Sequence, residues 1–164
     1  MTVSVNVDDS EVRQAFNRMN RTLSNMRPAM ELVGYAVEQL ILQGFITSTD
    51  PYGKAWAKPP AHRKIGKKLI TAKARPDLAK SWLPLRDKGR LMGSITHIAD
   101  KNSVKVGTNV AYAFNHQEGV GTNLLGGKIR QRKFLPDLGL PVLWSNEVLR
   151  TVEDYLDEAL NGNN

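Results

Sequence analysis

The chain contains no cysteine. That absence excludes a disulfide framework, a thiol nucleophile, a cysteine-ligated zinc and an iron–sulfur cluster together. Histidine is scarce as well: His62, His97 and His116 stand far apart and offer no zinc-binding spacing. No apolar run approaches the roughly 18 residues of a membrane span. The opening MTVSVNVDD lacks the basic start and apolar stretch of a secretory signal. The expectation is a soluble protein made and kept in a cytoplasm, with no membrane partner. Core material is present. Hydrophobic residues make up 41% of the 164, enough for a single domain spanning 1–164.

Positive charge is the excess, and it is local. The formal net charge is +7, yet residues 54–90 alone carry +10, with only Asp77 and Asp87 opposing twelve Lys and Arg; the rest carries −3. Pro59, Pro60, Pro76 and Pro84 crowd the same stretch, and Pro51 stands just before it. Prolines at that density stop helices and remove strand donors. Residues 48–90 therefore read as a basic, Pro-rich arm or insertion. Trp56 and Trp82 argue against a mere solvated linker.

Hydrophobic periodicity orders the remainder. Val3, Val5 and Val7 alternate as in a half-buried strand. Asp8, Asp9 and Ser10 cap a helix over about 10–24, with Val12, Ala15, Phe16, Met19 and Leu23 at helical spacing. Pro28 opens a second helix striped by Met30, Val33, Val37, Leu40, Ile41 and Phe45 and ending near Thr47. Residues 94–99 and 104–106 form a hairpin about the turn Asp100-Lys101-Asn102-Ser103, with 110–114 as a third strand. A Gly-rich loop over 116–128 follows, then a strand or extended arm over 129–135. Pro141 opens a last helix striped by Val148, Leu149, Val152, Tyr155, Leu156 and Ala159. The expected class is α+β: a small, mostly antiparallel sheet against two N-terminal helices and a C-terminal helix.

Catalytic chemistry is missing from this pattern. In GTNLLGGK, Gly127 stands where a phosphate loop needs Lys, and Lys128 where it needs Ser or Thr. Ser94 lacks the glycine framing of a nucleophile elbow. The carboxylates of the last helix have the spacing of a solvated face. His116, beside Gln117 and Glu118, is a lone loop histidine suited to hydrogen bonding or an interface. No enzyme activity, cofactor or metal is expected. The basic arm, with Tyr52 and its tryptophans, suits phosphate tracking and base stacking, so sequence-independent nucleic-acid binding is the alternative function.

Several short segments carry a further signal. Phe45 precedes Asp50-Pro51-Tyr52-Gly53-Lys54-Ala55-Trp56; Leu85-Arg86-Asp87-Lys88-Gly89-Arg90-Leu91 follows, with Ser94-Ile95. Then come Val106-Gly107-Thr108-Asn109, Tyr112-Ala113, His116-Gln117-Glu118-Gly119 and Arg130-Gln131-Arg132-Lys133-Phe134-Leu135. This order resembles the phage virion morphogenesis family, the tail-completion proteins of Mu-like and P2-like phages. The sequence departs at Lys88, where the family usually has Thr or Ser, and at Pro136, where it usually has Gly.

The resemblance implies a non-enzymatic ring protein of a tailed-phage neck that completes the tail or joins it to the head. Expected partners are further copies of the chain, in a ring of six, other neck and tail-tube proteins, and genomic DNA by non-specific contact. The implied location is the virion, after assembly in the bacterial host cytoplasm. Candidate interface or DNA-lumen residues are Lys54, Trp56, Lys58, Arg63, Lys64, Lys67, Lys68, Arg90, His116, Gln117, Arg130, Arg132 and Phe134. Opposite charges on the arm and the last helix suit subunit pairing.

Overall fold

The fold is organised around one long helix. The structure, a computed structural model, describes residues 10–57, 62–65, 68–71, 84–86, 88–122 and 128–161. The expected strand over 2–7, together with Lys58, Lys67 and Trp82, lies outside the described residues. The elements are α1 (Ser10–Ser24), α2 (Arg27–Thr47), β1 (His62–Ile65), β2 (Lys68–Thr71), β3 (Thr96–Ala99), β4 (Val104–Gly107), α3 (Ala113–Glu118) and α4 (Val142–Asn161). A single 3₁₀ turn, Met92–Ser94, leads into β3. The class is α+β.

Helix α2 begins with Pro28 in its first turn, where a missing N–H costs nothing. It buries Ala29, Val33, Val37, Ile41 and Phe45, a ladder with a repeat of four that keeps one face inward. Ser48 then turns left-handed at φ 59° and donates its N–H to the Gly44 carbonyl, which ends the helix. Helix α4 and the β3–β4 hairpin both pack on α2, and α1 packs against α4. Phe45 sits at the centre of the core, fully buried. The Trp56 ring meets it edge-on at 5.5 Å, and the Phe134 ring at 5.7 Å. Leu91, Val110, Ala113 and Trp144 complete the cluster.

Three expectations change. The strands form two separate antiparallel hairpins, β1–β2 and β3–β4, rather than one sheet of three or more. The first lies inside the basic segment, pairing Arg63 with Ile70 and Lys64 with Leu69, so that stretch is not wholly irregular. Residues 110–114 are a turn entering α3, not a third strand. The Thr108 hydroxyl accepts from the Val110 N–H at 3.1 Å, and Ala113 N–H donates to the Val110 carbonyl at 2.9 Å. Val110 and Ala113 are thereby buried three residues apart, a helical spacing. Residues 129–135 run extended without joining a ladder; Lys128 makes one isolated bridge to Thr122.

Candidate functional site

Most of the segments carrying the family-like pattern meet at one place. Asp50 starts a tight turn: its Oδ1 accepts the N–H groups of Tyr52 and Lys54, at 3.0 and 2.8 Å. Gly53 takes φ 85° there, a left-handed conformation that suits glycine. The turn aims Trp56 into the core, where its indole Nε1–H donates to the Lys133 carbonyl at 2.7 Å. It also brings the Tyr52 hydroxyl to the residues beyond Pro136. That oxygen accepts from the N–H groups of Asp137 and Leu138, at 3.1 and 2.9 Å. Its own proton reaches the Gly139 carbonyl at 3.2 Å or Asp137 Oδ1 at 3.3 Å.

Gln117 fastens α3 to the same extended run. Its Oε1 accepts from Phe134 and Leu135 N–H, each at 3.1 Å, while Nε2 donates to the Leu135 carbonyl at 2.8 Å. The side-chain amide thus substitutes for a missing neighbour strand. Arg132 N–H donates to the His116 carbonyl at 2.8 Å, and Arg132 Nε to the Ala57 carbonyl at 3.1 Å. Gly119 closes α3 at φ 70°; a Cβ there would stand 2.7 Å from Gln131 Cβ, so the close crossing of the two segments requires glycine. His116 is half-buried with Nδ1 shielded from solvent and no partner for it among the described residues. Burial, helped by the Arg132 charge, pushes its pKa below the usual histidine value. Both effects favour the neutral imidazole.

The candidates named from sequence thus divide. Trp56, Phe134, Gln117, His116 and Arg132 come together in this knot, buried or half-buried and engaged within the chain. Lys54, Arg90 and Arg130 are exposed. Arg63, Lys64 and Lys68 lie in the β1–β2 hairpin.

Sequence reading missed two features. Tyr52, the hydrogen-bond hub, reads in sequence as an aromatic within a family-like segment, with nothing to mark its hydroxyl. His97 joins β3 to α2, its Nδ1 2.9 Å from Glu38 Oε1 and its Nε2 3.1 Å from Glu31 Oε2. Gly34 lies between those carboxylates, and a Cβ there would be 2.3 Å from the His97 ring. Hydrogen bonds to Glu38 and then Glu31 raise the His97 pKa against the opposing effect of burial. The signal was present as Glu31, Gly34 and Glu38, spaced three and four apart on one helical face.

Chemically, the knot is a scaffold. Among the described residues, no three of His, Asp and Glu stand close enough to hold a metal ion, and no helix is long and apolar enough to cross a membrane. An open apolar groove of about 430 Å³ runs beside it, between Thr108, Phe114 and Leu135.

The model of the phage virion morphogenesis family matches residues 7–161, nearly the whole chain. The chain belongs to that family. No curated protein and no solved structure matches it significantly. As a family member it is a virion component with a part in virion assembly.

Proposed function

We propose that this virion morphogenesis protein is a non-enzymatic structural part of a tailed-phage neck, forming a ring that completes the tail or joins it to the head. The family match over 7–161 is the observation that carries the reading. The knot adds support: the family-like residues hold three chain segments together, as a structural part needs. Particles made without the protein are expected, by electron microscopy, to show tails and filled heads that fail to join, or tails of abnormal length. Normal infectious virions from that deletion would overturn the proposal.

The +10 segment favours a second reading, sequence-independent contact with nucleic acid. Counterion release then requires DNA binding to collapse between low and moderate salt. Neutralising Arg63, Lys64, Lys67 and Lys68 should abolish it. No binding at low salt would leave only the first reading.

A further inference from the structure

Among the described residues, nothing covers one face of helix α4. Its inner face places Trp144, Val148 and Val152 against the core around α2. At 100° per residue the outward arc changes character along its length. The first two turns present Val142, Leu143 and Leu149, which are 76%, 79% and 59% exposed. The following turns present Glu153, Asp154, Asp157 and Glu158, all exposed. None of these four carboxylates makes an ion pair among the described residues; the helix has one internal pair, Arg150 with Glu147. The last turn contains no basic residue. Carboxylates at the negative end of a helix dipole are unfavourably placed unless a cation comes from elsewhere.

A cationic partner is available on another copy. Residues 54–90 carry +10, and the β1–β2 hairpin inside them holds Arg63, Lys64 and Lys68 in its strands. Ile65 follows Arg63-Lys64, and Leu69-Ile70 follow Lys67-Lys68, giving the hairpin segment apolar residues as well. We propose that the outward face of α4 on one copy receives the basic hairpin segment of a second copy. The contact is heterologous. Each copy offers one face and one hairpin, so the pattern repeats head to tail and closes into a ring where the rotation allows. DNA is a poor occupant of this face because its phosphates would meet four carboxylates. The inference rests on the homo-oligomeric part of the function proposed above and names the two surfaces it would use.

Charge exchange tests it on the full chain. One variant reverses the face (E153K/D154K/D157K/E158K) and the other reverses the hairpin (R63E/K64E/K67E/K68E), with circular dichroism checking that both fold. By sedimentation at low salt, the wild-type chain is expected to assemble and each variant alone to stay monomeric. An equimolar mixture of the two should assemble again, because each surface then meets its opposite. Since the chain has no native cysteine, Asp157→Cys and Lys64→Cys provide a second readout. Mixed under oxidation they should form a disulfide-linked dimer of one variant with the other, well above the yield from either alone. A wild-type chain that stays monomeric at its highest soluble concentration would overturn the proposal. So would assembly that survives both reversals, or a mixture that stays monomeric. If a D157C/K64C double variant cross-links within one chain rather than between two, the hairpin covers its own α4 and the proposal fails. The deletion experiment on particles is independent of these outcomes, so losing this contact leaves the virion role standing.

Discussion

The knot around Trp56 and the outward face of α4 satisfy their polar groups in opposite ways. In the knot, the Gln117 amide, the Tyr52 hydroxyl, the Trp56 indole and Arg132 Nε all bond to main chain of distant segments. On α4, four carboxylates face solvent with no cationic partner among the described residues. The first region is closed within one copy; the second is open. In this chain the buried residues that mark the family build the platform, and the proposed contact uses charges outside the family-like segments.

Breaking the closed region should give the largest effect. Trp56→Ala removes a buried ring and a hydrogen bond, and should cost about 3–5 kcal/mol of folding stability. The urea midpoint of the full chain measures it. Gln117→Ala comes next. It leaves two N–H groups and one carbonyl without their partner, at a cost of about 1–3 kcal/mol. Gln117→Glu sharpens the same point: a carboxylate keeps the acceptor for Phe134 and Leu135 but loses the donor to the Leu135 carbonyl, so it should fall between Ala and wild type.

Smaller effects come from the two histidines, which should tilt stability in opposite directions with pH. His97 has a raised folded pKa, so its contribution is fully present below the unfolded value of 6.5 and is lost as pH rises through the folded value. His116 has a lowered folded pKa, so its neutral form stabilises above pH 6.5 and that advantage is lost as pH falls through the folded value. Urea midpoints from pH 5 to 9 are expected to lose the alkaline decline in His97→Gln and the acid decline in His116→Gln. Arg90→Ala, on an exposed side chain, should change stability by less than about 0.5 kcal/mol.

Legibility followed the range of the interactions. The α2 stripe is readable because one helix face repeats locally; the α4 stripe is readable in part, since it takes in Leu149, which is 59% exposed, and leaves out the buried Trp144. The β3–β4 hairpin was readable because Asp100 to Ser103 is a turn in composition as well as in fact. Residues 110–114 misled because alternating Val110, Tyr112 and Phe114 imitate a strand, while the Thr108 hydroxyl and the Val110 carbonyl wind the chain into a turn. The knot was not readable as such. Tyr52 and Asp137 are 85 positions apart, and no local pattern announces a hydroxyl that reaches across that distance. His97 was hidden for the same reason, its partners being 59 and 66 positions away. Neither motif nor local charge density separates residues that face inward from those that face out.

The central claim is that the open α4 face, and not the buried knot, carries assembly. Complementation of a phage lacking this protein by the E153K/D154K/D157K/E158K chain tests that most directly. The account expects a chain with wild-type stability and plaque titres no higher than the deletion alone. Full titres from that stable chain would contradict it.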